Sequence, residues 1–176
     1  MNKTKQIIFI SYYVALAIVL DYIKTFIPFL NMPSGGSINI ALIPIVLCSF
    51  HLGCKQGVLA GLLWWLVSSL LGLNNYYLSL MQYIVDYVIP SAIIGAASIF
   101  YSHAKVIEIQ LGILFTMSIR TICVLVSGAI FWFDEASNSV PAWIYTCTYN
   151  LPYSIATTIM LMIIIPIIIK HTKLFD

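Results

Sequence analysis

The sequence predicts an all-α integral membrane protein with six transmembrane helices and both termini in the cytoplasm. Two observations predict this fold class: the composition, and the order of apolar segments and basic connections. Of the 176 residues, 61% are hydrophobic and 8% are charged, whereas a soluble domain carries about 25% charged residues. So little charge cannot cover a water-exposed surface. We therefore expect residues 1–176 to form a single membrane domain.

Six apolar segments approach the roughly 20 residues that a membrane-spanning helix needs. They cover about 7–29, 39–53, 56–73, 78–101, 107–133 and 141–169. The first is too long for the apolar core of a signal peptide, and no small-residue cleavage site follows it. The second is short, which predicts a helix that tilts or that ends inside the protein body.

Basic residues occur in alternate connections between these segments. They lie before the first span, between the second and third, between the fourth and fifth, and after the sixth: Lys3 and Lys5, Lys55, Lys105, and Lys170 and Lys173. The connections 30–38, 73–77 and 134–140 contain no Lys or Arg. Because cytoplasmic loops are enriched in basic residues, the alternation predicts six spans with cytoplasmic termini.

Several function classes are not expected. The chain has no metalloprotease, serine-hydrolase or P-loop motif, so we expect no enzyme activity. Its four cysteines show no Cys-x-x-Cys spacing, and neither a metal nor a cofactor is expected. Net charge is +2 and the basic residues are scattered, which argues against nucleic acid binding. Since the connections are short, energy for any transport must come from a partner or an ion gradient.

Asp86 is the residue that most strongly indicates a site. An ionisable group at membrane depth is costly and therefore marks a functional site by default. Tyr83 and Tyr87 share one helix face, with Asp86 beside them. A carboxylate among aromatic rings suits a flat, positively charged, hydrogen-bonding ligand. The alternative is a structural ion pair with Arg120 of the fifth span.

Further aromatic side chains lie at positions where they could complete such a site. Trp64 and Trp65 of the third span point about 100° apart, so we expect only one of them to face the interior. Trp132 lies near the outer end of the fifth span. An aromatic belt at the membrane interface is the alternative explanation for Trp64 and Trp65.

The sixth span begins with a polar and aromatic stretch. Tyr145 and Tyr149 share a face, and Asn150 lies on its flank. An Asn within a span must hydrogen-bond to protein or ligand. It could therefore hold two helices together or contact a ligand.

Two other segments each leave two interpretations open. The connection Met32, Pro33, Ser34, Gly35, Gly36 is either an ordinary turn or a lid over an outward-facing site. Ser11 and Ala15 form a small-xxx-small pattern, which serves either internal packing or contact with a partner subunit.

In their order along the chain, these segments resemble the thiamine-specific substrate-binding (S) component of energy-coupling factor (ECF) vitamin transporters. The resemblance is carried by residues 32–37, 55–61 and 82–87, Arg120 with Ser127 and Gly128, and Tyr145 with Tyr149 and Asn150. It covers nearly the whole chain.

The resemblance implies a fold and a set of partners. Members have six helices with cytoplasmic termini, bind thiamine from outside, and associate with a transmembrane coupling protein and two ATPase subunits. Their loop between the first two helices closes the site, as a lid of residues 32–36 would here. Ser11 and Ala15 match the motif on the first helix that contacts the coupling protein.

The resemblance also implies a set of substrate-binding positions. These positions are Asp86, Tyr87, Trp132, Tyr145, Asn150 and Trp65. Trp64 takes the place of Trp65 if the alignment slips by one residue. We add Tyr83 and Tyr149 because of their helical spacing. Two positions depart from the family. Asp86 stands where a Glu is usual, and Val124 stands where a His is usual.

The sequence thus predicts a component of the cell membrane, surrounded by lipid, that captures thiamine or a close analogue and depends on ATPase partners. One alternative is a stand-alone, proton-coupled vitamin carrier that uses Asp86 as its proton site. Another is a membrane scaffold subunit with a structural Asp86–Arg120 pair.

Overall fold

A computed structural model describes residues 2–33, 35–73, 76–102, 105–132 and 141–172. Lys173 and the acidic connection 134–140 lie outside these residues. The described residues form six main helices: α1 (Lys3–Lys24), α2 (Leu42–Leu52), α3 (Cys54–Leu70), α4 (Leu80–Phe100), α5 (Val106–Phe131) and α6 (Ala142–His171). A short 3₁₀ turn covers Pro28–Leu30. The all-α prediction is confirmed.

Four of the helices, α1, α4, α5 and α6, are long and apolar enough to cross a membrane. The other two are shorter, and α2 is largely enclosed by its neighbours. Eight of the eleven residues of α2 are buried. It packs against α1, α3 and α6. A helix surrounded by protein need not match the thickness of the bilayer, which accounts for the short second apolar segment.

Close backbone contacts fix α4 between α3 and α5. A side chain at Gly57 of α3 would collide with the carbonyl of Gly95, and one at Gly61 would collide with the carbonyl of Ser91. On the other side, a side chain at Gly112 of α5 would collide with the carbonyl of Ala97. Small residues of this kind let membrane helices approach closely. The position of α4 therefore depends on glycines in both neighbouring helices.

The helix α4 is irregular where it carries Asp86. It is α-helical over Leu80–Tyr83, forms a π-helical turn over Ile84–Val88, and is α-helical again over Ile89–Ile94. The N–H of Ile89 bonds to the carbonyl of Ile84, five residues back. The next residue, Pro90, has no N–H to offer the carbonyl of Asp86. Single π turns inside helices occur frequently at functional sites.

Candidate functional site

A cavity of about 520 Å³ lies among α3, α4, α5, α6 and the segments that precede α2 and α4. This volume is typical of small-molecule sites. Its lining combines aromatic rings, two ionisable side chains and small polar groups: Gly36, Asn39, Trp64, Tyr76, Asp86, Tyr87, Pro90, Ser91, Arg120, Val124, Gly128, Trp132, Tyr145, Thr146, Tyr149, Asn150 and Tyr153.

The two carboxylate oxygens of Asp86 differ in their hydrogen bonds to the described residues. Its Oδ2 accepts hydrogen bonds from Nε2 of Gln82 at 2.7 Å and from Nε1 of Trp132 at 3.1 Å. Among the described residues, none donates a hydrogen bond to Oδ1. The two donors hold the carboxylate in place, and Oδ1 is left as an acceptor for a ligand.

Gln82 supports Asp86 from behind. Its side chain is fully buried, and its Oε1 accepts a hydrogen bond from the backbone N–H of Leu78 at 3.1 Å. The hydroxyl of Ser79 caps the same turn by accepting from the N–H of Gln82 at 3.2 Å. Because Oε1 is occupied by a backbone donor, the amide nitrogen of Gln82 is the end that faces Asp86.

Arg120 lines the same cavity but is not paired with Asp86. Within the described residues, the ion pair present joins Lys24 to Asp21, and Arg120 forms none. Its Nη1 is buried and has no hydrogen-bond partner there. The structural Asp86–Arg120 pair, which the sequence left open, is therefore not formed in this structure.

Tyrosines form one wall of the cavity. Tyr145, Tyr149 and Tyr153 follow each other at intervals of four residues along α6. The first two rings are stacked, with centroids 6.3 Å apart and an interplanar angle of 25°. Tyr76 and Trp132 also line the cavity, and their ring centroids are 5.5 Å apart. A planar cation in this space would have several aromatic side chains around it.

Asn150 is buried and largely satisfied by the protein. Its Nδ2 donates to the backbone oxygen and to the hydroxyl of Thr146, both at 3.0 Å. Its Oδ1 accepts from the hydroxyl of Tyr153 at 2.6 Å. A carbonyl oxygen has a second lone pair, so Oδ1 can still accept one ligand donor.

The structure separates the two tryptophans of α3. Trp64 lines the cavity, and Trp65 does not. Trp65 instead packs against Tyr83, with ring centroids 5.9 Å apart, and its Nε1 is buried without a partner in the described part of the chain. Tyr83 also does not line the cavity. Its ring centroid lies 5.1 Å from that of Tyr87, and its hydroxyl donates a hydrogen bond to Oγ of Ser69. These two expected residues are therefore not brought to the cavity.

The loop before α2 lies against α6. Gly35 and Gly36 have φ values of 102° and 73°, where other residues are strained. Added side chains would strike the rings of Tyr149 and Tyr153 respectively. The N–H of Met32 bonds to the carbonyl of Gly36 at 3.0 Å, which closes a tight turn. Pro33 is exposed, and Ser34 lies outside the described residues.

Ser11 and Ala15 lie far along α1 from this loop, on a face that the other helices do not cover. Both are exposed, and Tyr12 and Leu16 beside them are also exposed. The hydroxyl of Ser11 bonds to the carbonyl of Ile7 in its own helix at 3.0 Å. The structure therefore gives no support to internal packing as the role of this pair.

Sequence reasoning did not assign several residues that line the cavity or contact its lining, among them Tyr153, Tyr76 and Asp21. Tyr153 extends the row of Tyr145 and Tyr149 by one more step of four, and that spacing could have indicated it. Tyr76 lies in a connection, where no periodicity applies. Asp21 is a buried carboxylate of α1, 5% exposed, which accepts a hydrogen bond from the cavity residue Trp64.

Comparisons with known proteins give consistent matches. The family model described as thiamine transporter protein (Thia_YuaJ) matches residues 7–176. The thiamine transporter ThiT of Bacillus subtilis (strain 168) is 32% identical over 179 residues, which cover 94% of this chain and 92% of that protein. The solved structure of ThiT from Listeria monocytogenes has a TM-score of 0.85 at 24% identity and covers 98% of each chain.

Proposed function

Since the chain belongs to the thiamine transporter protein family, we propose that it is the substrate-binding component of an ECF-type transporter. In this proposal it captures thiamine from outside the cell for ATP-driven uptake and performs no covalent chemistry. The observation that carries the proposal is the Asp86 carboxylate, whose Oδ1 accepts no hydrogen bond from the described part of the chain, in a cavity lined by aromatic rings.

The two chemical features of thiamine match the two features of the cavity. Its thiazolium ring carries a permanent positive charge, and each cation–π contact with an aromatic face contributes roughly 0.5–2 kcal/mol. Trp132, Tyr145 and Tyr149 offer such faces. Its aminopyrimidine ring carries N–H donors, which Oδ1 of Asp86 and Oδ1 of Asn150 can accept. Hydrogen bonds to a charged acceptor are about twice as strong as neutral ones.

The loop of residues 32–36 acts as the lid in this proposal. Gly35 and Gly36 already pack on Tyr149 and Tyr153, which are part of the cavity wall. Movement of the loop away from α6 would open the cavity along that wall. Closure over bound ligand would exclude water and strengthen the polar contacts inside.

The proposed topology has six membrane spans with both termini in the cytoplasm of the cell. It rests on the alternation of basic connections and on six helices that occupy the six apolar segments. In this arrangement α2 crosses mainly inside the protein.

The proposed partners are a transmembrane coupling protein and two ATPase subunits. Ser11 and Ala15 are exposed on α1 among larger apolar side chains. Small residues there let a partner helix approach closely. The rest of the exposed apolar surface of α1 would contact lipid.

Two experiments separate this proposal from its alternatives. A proton-coupled carrier would take up thiamine in cells that lack the coupling protein and the ATPases, whereas an S component would not. A scaffold subunit would bind no ligand, whereas the purified chain is expected to bind thiamine tightly. Thiamine uptake without the partners, or a folded chain that does not bind, would contradict the proposal.

One observation favours a phosphorylated form of thiamine as a second candidate ligand. Arg120 lines the cavity, and its buried Nη1 has no hydrogen-bond partner among the described residues. A phosphate group would supply acceptors for a guanidinium. Competition between thiamine and thiamine monophosphate tests this. If the phosphate is bound, Arg120→Met should weaken its binding far more than that of thiamine. Equal effects on both would assign Arg120 no part in ligand selection.

A further inference from the structure

Asp21 is a buried carboxylate that lies behind the wall of the cavity. It is located on α1 and is 5% exposed. Its Oδ2 accepts a hydrogen bond from Nε1 of Trp64 at 2.8 Å, and its Oδ1 accepts from Nζ of Lys24 at 2.9 Å. Ser68, one turn after Trp64 on α3, donates to Oδ2 across 3.4 Å. Both oxygens of Asp21 therefore have partners inside the protein.

Trp64 lies between Asp21 and the space of the cavity. It lines that space, yet it is only 5% exposed, because one edge of its indole is turned towards α1. The adjacent Trp65 provides a contrast, since its Nε1 is buried with no partner among the described residues and its ring lies away from the cavity. Of these two neighbours, the tryptophan with an anchored N–H is the one that reaches the cavity.

We propose that Asp21 is a positioning residue for ligand binding, which acts by holding the indole of Trp64 at a fixed angle in the cavity wall. The inference rests on the proposed function, because it takes this cavity to be the ligand site. A hydrogen bond to a carboxylate is short and directional. With its N–H held at Oδ2, the ring of Trp64 keeps one orientation before the ligand arrives. Less side-chain freedom is then lost on binding, and affinity rises.

Substitutions at both ends of the bond test the proposal in the purified full-length chain. Asp21→Ala is expected to weaken thiamine binding about tenfold, or about 1.4 kcal/mol, by titration calorimetry. Asp21→Asn keeps an oxygen that accepts from Trp64 and should stay within about threefold of the wild type. Lys24→Met is the matched control, because it removes the ion pair but not the bond to Trp64, and it should bind normally.

A double substitution distinguishes positioning from a general structural role. Trp64→Phe keeps an aromatic ring but has no N–H, so Asp21→Ala should cause no further loss of affinity in that background. An equal loss in both backgrounds would overturn the proposal. If the Asp21→Ala variant does not fold, the thiamine affinity of Trp64→Phe alone tests the proposal. It should weaken binding about as much as is expected for Asp21→Ala, about tenfold, and unchanged affinity would overturn the proposal.

A ligand-free measurement keeps this inference separate from the proposed function. Near-ultraviolet circular dichroism reports the fixed orientation of aromatic rings. Asp21→Ala should reduce the tryptophan bands in the wild-type background and leave them unchanged in the Trp64→Phe background. If wild-type protein binds no thiamine, the proposed function fails, and these spectra still decide the role of Asp21. Identical spectra for wild type and Asp21→Ala would overturn it.

Discussion

Replacing Asp86 with Asn is expected to weaken thiamine binding by roughly 1.5–3 kcal/mol, the value of a hydrogen bond to a charged group. This corresponds to a rise in Kd of about 10- to 160-fold. The carboxylate Oδ2 accepts from Gln82 and Trp132. The single oxygen of Asn would be held by the same two donors. Its NH₂ group would then occupy the place of Oδ1 and point a donor at the donors of the ligand.

The assay is titration calorimetry of thiamine into purified protein, supported by quenching of tryptophan fluorescence. The folded structure should persist, because both donors to Oδ2 keep a partner. Asp21→Asn is the matched control. It makes the same chemical change at another carboxylate, the buried Asp21, which does not line the cavity, and it should stay within about threefold of the wild type. A folded Asp86→Asn variant with unchanged affinity would refute the assignment of Asp86 to the site.

Three further predictions concern the pocket, the lid and the docking face. Val124→His should tighten thiamine binding by about 0.5–1.5 kcal/mol in calorimetry, because it adds a hydrogen-bonding group to the cavity wall. A clear loss of affinity would mean that this pocket is arranged for another ligand. Gly36→Ala should speed ligand release several-fold in stopped-flow fluorescence. Its methyl group would strike Tyr153, and a positive φ costs alanine about 1–2 kcal/mol. An unchanged release rate would show that the loop does not control ligand release. Ser11→Leu combined with Ala15→Leu should abolish cellular uptake while binding stays near normal, and full uptake would show that α1 is not the docking surface.

The existence of the helices could be predicted because their apolar length leaves few alternatives. Each of the six apolar segments corresponds to one helix. The π turn at Ile84–Val88 could not be predicted, because it depends on how α4 packs between its neighbours. Pro90 is a local signal of an irregularity in that helix, because it cannot donate to the carbonyl of Asp86.

The site was partly predictable, and the exceptions have physical reasons. Helical spacing predicted that one of Trp64 and Trp65 faces the interior, but not which one. The rotation of α3 decides between them, and contacts of Gly57 and Gly61 with the backbone of α4 set that rotation.

The sequence did not indicate Asp21 as a site residue, because it lies near the end of the first span and Lys24 follows it three residues later. Such a pair resembles an ordinary helix end at the membrane surface. Its bond to Trp64 joins residues 43 positions apart in the chain, and only the folded structure brings them together.

Titration calorimetry of thiamine into the purified wild-type chain, without any coupling protein or ATPase, tests the central claim most directly. The account predicts saturable binding of about one thiamine per chain, as expected if the cavity of about 520 Å³ that Asp86 lines is the ligand site. It further predicts that Asp86→Asn weakens this binding and that Asp21→Asn does not. A folded wild-type chain that shows no heat of binding would contradict the claim that this protein captures thiamine by itself.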